Sequence, residues 1–286
     1  SAELAAMCTR ADGRELPWLG SGSFGSVYEA EYAGVRVAVK KFFDSSASSS
    51  AFEREAALLS ELRHPHIVQL IKVCCRPLCI VTELFACPLH ALLHGGPAAC
   101  PRLAPPLRAA LLRRAATPSI CCHIACGMHY LHSLEAPVLH RNLKTQNLML
   151  DEGGRVKICD FGWARFKTID SGKTFFHGWQ WVAPEILGGA RFTESADVYS
   201  FAMVAWEVLT HTLPFTGMNP VQIGLAVREQ KLRPALPDDC PAGFGALLRD
   251  CWHDEPEQRH AFAVVLGRLQ AIEMLREFDG LAELPT

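Results

Sequence analysis

The chain has 286 residues, 49% of them hydrophobic and 20% charged, with a formal net charge of −2. That length is enough for one large domain or two modest lobes with cores of their own. So balanced a charge makes no field to gather nucleic acid or an anionic membrane surface, and no apolar run approaches the roughly 18 to 20 residues that span a bilayer. No signal-peptide pattern opens the sequence, and Ser1 rather than Met stands first, which reads as a domain taken from a longer protein. The twelve cysteines lack the regular spacing of a disulfide framework, so reduced thiols in a cytoplasmic setting are expected. Cys74, Cys75 and Cys79 form one local group, and Cys121, Cys122, His123 and Cys126 another. No second pair at finger or ribbon spacing completes a zinc site around either, and the second group lies in an apolar helical run where cysteine acts as a small hydrophobe.

Residues 1–15 carry no readable pattern and are taken as a leader. From Leu16 to Val39 the pattern is strand, turn, strand, with Val27, Tyr28, Val35, Val37 and Val39 supplying β-branched and aromatic content. Gly20, Gly22 and Gly25 fall in the turn. Glycine there lets the backbone take φ > 0 and approach phosphate oxygens with its N–H groups. A dinucleotide fold would need a helix straight after these glycines, whereas Val27-Tyr28-Glu29-Ala30 continues as strand. A strand over Val37-Ala38-Val39 then ends in Lys40.

A serine-rich loop, Ser45 to Ser50, precedes a helix expected over Ser50–Leu62. Glu55, Leu59 and Leu62 share one helical face, and Glu53 does not. His64-Pro65-His66 closes the helix, and Ile80-Val81-Thr82-Glu83-Leu84-Phe85 reads as a buried strand. Residues 94–116 read as a loop by composition, with a short basic helix from Leu107 to Ala116. Thr117 to Ser133 reads as a long helix. Then follow His140-Arg141-Asn142-Leu143-Lys144-Thr145-Gln146-Asn147, Asp160-Phe161-Gly162, and Trp181-Val182-Ala183-Pro184-Glu185.

In this order the motifs closely resemble the phosphate-covering loop, the V-A-I-K strand, the catalytic loop, the metal-binding loop and the A-P-E element of protein kinases. Asp197-Val-Tyr-Ser-Phe, Trp206-Glu-Val and Cys251-Trp252…Pro256…Arg259 continue the resemblance, which covers about residues 16–270. It is most like the tyrosine-kinase-like group of Ser/Thr kinases. The resemblance implies an α+β bilobal fold: a β-rich N-lobe over 16–85, a helical C-lobe over 86–275 carrying the 94–116 insertion, and a tail at 276–286.

It also implies roles. Gly20, Gly22, Gly25, Val27, Ala38 and Lys40 would line an ATP site, with Thr82 as gatekeeper and the backbone around Glu83 and Phe85 binding the adenine edge. Glu55 would pair with Lys40, and Asn147 and Asp160 would bind magnesium. Lys144 matches the residue that touches the γ-phosphate and favours serine or threonine hydroxyls. Arg141 would pair with a phosphorylated Thr168, Ser171 or Thr174, Asp197 would anchor the catalytic loop, and Glu185 would pair with Arg259. One residue departs. Where the family has an aspartate to accept the substrate proton, this chain has Asn142, whose amide can accept a hydrogen bond and cannot take the proton. A second departure sits nearby. Family members show G-T-x-x-W before A-P-E, the threonine bonding to that aspartate and to the lysine, and here His177 and Gly178 stand in those places. A single engineered change would not remove both partners.

Two functions follow as expectations. One is a Mg-ATP-binding switch or scaffold with impaired phosphoryl transfer, acting on a protein substrate or partner kinase. The other is a slow but active Ser/Thr kinase.

Overall fold

The computed structural model describes residues 16–166 and 178–274. The expected leader, the tail, His177 and the three candidate phosphorylation sites Thr168, Ser171 and Thr174 lie outside the described residues. The chain divides into two compact units, one running to Phe85 and including Cys159–Ala164, the other Ala86–Ile158 with the rest from Arg165 onward.

The first unit is an antiparallel sheet of β1 (Trp18–Ser21), β2 (Gly25–Tyr32), β3 (Val35–Phe42), β4 (Leu70–Cys75) and β5 (Leu78–Glu83), in the order β1-β2-β3-β5-β4. The sequence reading saw one turn between Leu16 and Val39, and there are two. The second, at Ala33-Gly34, has φ of 51° and 78°, the positive pair that a tight hairpin needs to match strand twist. Leu16, Ala30, Val37, Val39, Cys74, Cys79 and Val81 form a buried cluster, with Tyr28 and Tyr32 packed against it. β3 is the central strand, which is why Val37 and Val39 are fully buried and why Lys40 leaves the sheet from a rigid support.

Helix α1 spans Ser46–Glu61, four residues longer at its start than expected. Ser45 is the N-cap, its hydroxyl accepting from the Ser48 N–H at 3.1 Å. The serine run thus enters the first turn instead of staying a loop. Ser49 Oγ donates back to the Ser45 carbonyl at 3.1 Å, the local bonding by which serine tolerates a helix.

The second unit is mostly helical. It contains β6 (Cys87–Pro88), α2 (Leu89–His94), α3 (Pro105–Leu111), α4 (Thr117–His132), β7 (Val138–Leu139), β8 (Leu148–Leu150), β9 (Val156–Ile158), β10 (Arg165–Phe166), α5 (Pro184–Leu187), α6 (Glu194–Thr210), α7 (Pro220–Glu229), α8 (Ala242–Cys251) and α9 (Phe262–Met274). Every residue of α6 from Ala196 to Leu209 is buried, the mark of a helix that forms the core rather than borders it. Two small antiparallel sheets, β6-β8-β9 and β7-β10, bracket residues 140–147 in sequence.

The short basic helix expected from Leu107 to Ala116 is present in part as α3, and the 94–116 stretch is structured on both sides of it. The stretch holds a 3₁₀ turn at Pro97–Ala99, α3 at Pro105–Leu111 and a second 3₁₀ turn at Arg114–Ala116. Cys100 and Leu103 are buried at 0% and 2% exposure, and Arg108 donates to the Pro97 carbonyl at 2.9 Å. Arg114 pairs with Asp239, and the side chains of Leu107 and Leu111 lie over Gly154. Composition hid this because the apolar anchors are single residues spaced among prolines and glycines.

Candidate active site

Gly22 N–H donates to the Gly25 carbonyl at 2.9 Å and closes the glycine turn between β1 and β2. The physical reason for these glycines differs from the expected one, since none of the three has positive φ. Around Gly20 and Gly22 nothing lies within 4 Å of an added Cβ, so the turn exposes bare backbone. At Gly25 a Cβ would collide with the Lys41 carbonyl, so close packing of β2 on β3 demands glycine. Val27 faces Lys40 in the β2–β3 register, and Ala38 faces Thr82 across β3–β5.

Lys40 Nζ meets Glu55 Oε2 at 2.6 Å and Asp160 Oδ1 at 3.4 Å. Glu55 is 4% exposed and comes from the buried face of α1, while Glu53 is exposed. Burial opposes the charge on Lys40, and the two carboxylates outweigh it and raise its pKa, Glu55 first. Burial pushes the Glu55 carboxyl up, against the pull of Lys40. The two side chains make a close contact in a site of low dielectric. Asp160 sits at φ 64°, an αL backbone uncommon outside glycine and typical of residues whose side chain must be aimed. The Phe24 and Trp163 rings meet at 5.0 Å, tilted 45° to one another, and a Cβ on Gly162 would press on Phe24 at 3.2 Å, so the Asp160-Phe161-Gly162 segment is packed against the glycine turn.

Thr82 Oγ1 donates to the Glu83 carbonyl at 3.3 Å, and the Glu83 carboxylate accepts from Gln69 N–H at 2.8 Å. Glu83 therefore ties the end of β5 to the chain before β4. Phe85 is 7% exposed.

In the second unit the catalytic-loop stretch hangs from α6. Asp197, in the first turn of that helix, accepts the backbone N–H groups of His140 and Arg141, each at 2.9 Å, and His132 Nε2 lies 3.0 Å from its carboxylate. Burial alone would raise the Asp197 carboxyl, but the hydrogen bond and charge of His132, with the other donors, hold it below the usual range. Arg141 takes φ 67° at this tether and lays its guanidinium 4.7 Å from the Phe192 ring centroid. Asn147 Nδ2 donates to the Asn142 carbonyl at 2.7 Å, so one amide fixes the turn of the loop. Asn142 and Lys144 are half-buried.

Gly178 occupies the position where the kinase pattern has threonine. Its φ is 85°, and a Cβ there would lie 3.0 Å from the Trp181 ring, with Lys144 Cδ at 3.5 Å. Trp181 cannot retreat. It is 5% exposed, and its Nε1 donates to Glu207 Oε2 at 3.1 Å. Glu185 and Arg259 form the expected pair, bidentate at 2.7 and 2.9 Å, and Arg259 also donates to the His253 carbonyl at 2.8 Å.

In the second cysteine group, Cys121 and Cys122 behave as packing. Cys121 is fully buried and its thiol pKa is raised well above normal by that burial; burial first, then Glu273, pushes the Cys122 thiol up to about 12. Residues that the motif reading overlooked are His132, the partner of Asp197, the Phe24–Trp163 ring pair, and Glu207. Glu207 stood inside Trp206-Glu-Val without an assigned task.

One unit built on a five-stranded antiparallel sheet with a Lys–Glu–Asp cluster, and another, helical, whose loop hangs from a buried aspartate, are the parts of a protein kinase. Residues 15–269 match the family described as "Protein tyrosine and serine/threonine kinase", and the chain belongs to it. Among its relatives are a probable serine/threonine-protein kinase of Dictyostelium discoideum, 36% identical over 89% of this chain and 27% of its own length. Serine/threonine-protein kinase CTR1 of Arabidopsis thaliana is 35% identical over 91% of this chain and 32% of its length. A putative serine/threonine-protein kinase/receptor of Acanthamoeba polyphaga mimivirus is 36% identical over 87% and 15%. The chain thus spans about a third or less of these curated relatives. Among the described residues no helix is long and apolar enough to cross a membrane.

Proposed function

We propose that this is a Mg-ATP-binding Ser/Thr-type kinase domain whose phosphoryl transfer is impaired, serving as a switch or scaffold for a protein substrate or partner kinase. The observation that carries the reading is Asn142 at the base position together with Gly178 at φ 85°, where a threonine would be strained and would crowd Trp181. Loss of the proton acceptor is matched by a backbone that disfavours its usual partner.

Phosphoryl transfer depends on positioning and charge neutralisation more than on covalent chemistry. The Lys40–Glu55 pair supports a fixed cation for the nucleotide phosphates, beneath a glycine turn with open backbone at Gly20 and Gly22. Thr82, Glu83 and Phe85 would frame the adenine. The oxygens of Asp160 and Asn147 are the hard donors that magnesium takes, and the Asn147 amide nitrogen is already committed to the Asn142 carbonyl, which leaves its Oδ1 as the ligand. Magnesium, when bound, would neutralise phosphate oxygens. Lys144 would add charge at the γ-phosphate, while Asn142 would orient a hydroxyl without accepting its proton. A positioned general base contributes roughly 10²- to 10⁴-fold, about 3 to 5 kcal/mol of the barrier. A cytosolic setting is supported by the free cysteines.

The second reading, a slow but active Ser/Thr kinase, is favoured by the complete Lys40–Glu55–Asp160 cluster and by relatives that carry the name kinase. Calorimetric Mg-ATP binding alongside γ-phosphate transfer to a generic protein substrate separates the two. The expected result is binding without transfer at ordinary kinase rates. Turnover at about 1 to 100 per second, the usual kinase range, would end the impaired reading. Absence of nucleotide binding would end both.

A further inference from the structure

Glu207, on α6, is fully buried, and among the described residues the ionisable side chains that reach its carboxylate are two histidines. His90 and His94 lie four residues apart on α2, so both rings leave the same side of that helix. Their centroids are 4.7 Å apart. His94 Nε2 lies 2.9 Å from Glu207 Oε1 and His90 Nδ1 lies 3.7 Å from the same oxygen. All three ligand atoms fall within 4.8 Å of one another. Ligands on a tetrahedral ion with bonds of about 2.0–2.1 Å stand about 3.4 Å apart, so ring shifts of under about 1 Å bring the three onto one centre.

The surroundings match such a centre. Glu207 Oε2 accepts from Trp181 Nε1 at 3.1 Å, and Oε1 accepts from Thr145 Oγ1 at 2.7 Å, which fixes the plane of the carboxylate. Ligating carboxylates are commonly held by such outer hydrogen bonds. Two imidazoles and one carboxylate are the donor set that zinc takes with three protein ligands and an open fourth position. His90 is 32% exposed, which leaves an entry path, whereas Glu207 is sealed.

We propose that His90, His94 and Glu207 form a divalent-cation site of zinc type, apart from the nucleotide-binding residues. An ion there would clamp α2 to α6 beside the Thr145–Asn147 turn, and so couple metal occupancy to the loop that carries Asn142 and Lys144. The Glu207 carboxylate would exchange its His94 contact for the ion and keep the bond to Trp181.

The test is a calorimetric titration of the whole chain with Zn²⁺, paired with visible absorption on adding Co²⁺, against the His90→Ala/His94→Ala variant. All cysteines are common to both proteins, so thiol binding cancels. The expected result is one metal equivalent present in the unmodified chain and weakened more than about 100-fold in the variant, beyond what loss of an outer hydrogen bond costs. Its Co²⁺ spectrum should be tetrahedral without thiolate charge-transfer bands. Should the double variant fail to fold, His90→Ala alone carries the test, because that ring is the more exposed. Equal stoichiometry and affinity in both proteins, thiolate bands alone, or no metal bound by the unmodified chain would each overturn the site and leave a hydrogen-bonded carboxylate only.

Discussion

Replacing Gly178 by threonine tests whether the missing kinase threonine is excluded by the backbone or merely absent. At φ 85° an L side chain costs about 1–2 kcal/mol against the preceding carbonyl. The new Cβ would also meet the Trp181 ring at 3.0 Å, and that ring is held by Glu207 and buried. Overpacking of this kind costs about 1–3 kcal/mol. Restricting the unfolded chain returns about 0.4–1 kcal/mol. The net expectation is destabilisation of about 3 kcal/mol for Gly178→Thr and a smaller loss for Gly178→Ala. Urea unfolding followed by tryptophan fluorescence reads it: at a slope of about 2 kcal/mol/M the midpoint falls by about 1.5 M for threonine. A threonine variant unfolding at the same midpoint and slope as the unmodified chain would refute the steric reasoning, and with it the view that the two departures are matched.

Glu55→Gln leaves Lys40 buried with Asp160 alone at 3.4 Å. Breaking a buried pair from one side costs about 3–5 kcal/mol, and the residual carboxylate puts this variant near about 3, measurable by denaturation together with weaker Mg-ATP binding in calorimetry. Unchanged values for both would deny the pair its part. The Asp197 carboxyl, held below its ordinary pKa, contributes stability above about pH 4 that is lost as pH falls through its folded value. Asp197→Asn should therefore lower stability at pH 7 and flatten the acid limb of a stability-versus-pH curve; an acid limb identical to the unmodified chain's would contradict it.

The Lys40–Glu55 pair, the Asp197 anchor of the 140–147 loop and the Glu185–Arg259 pair were readable from motif letters, because such ion pairs and anchors need particular residue types at near-fixed spacing. Helical phase alone separated Glu55 from Glu53. What could not be read depends on contacts far apart in sequence or on dihedral angles. The serine run looked like loop because its propensity is poor, yet one cap at Ser45 and back-bonding carry it into α1. The part of the insertion before its expected helix looked like plain loop because its anchors, Cys100 and Leu103, are isolated among turn residues. Gly178 gave no sign of its positive φ, and the glycines of the first turn were expected to have one and do not. His90 and His94 attracted no notice, since Glu207 lies more than a hundred residues away along the chain.

The most direct measurement is the rate of γ-phosphate transfer by Asn142→Asp relative to the unmodified chain at saturating Mg-ATP. Restoring the proton acceptor should raise that rate by roughly 10²-fold or more, up to 10⁴-fold if Gly178 is no hindrance, with nucleotide affinity little changed. An unmodified chain that already turns over as fast as the aspartate variant would contradict the account at its centre.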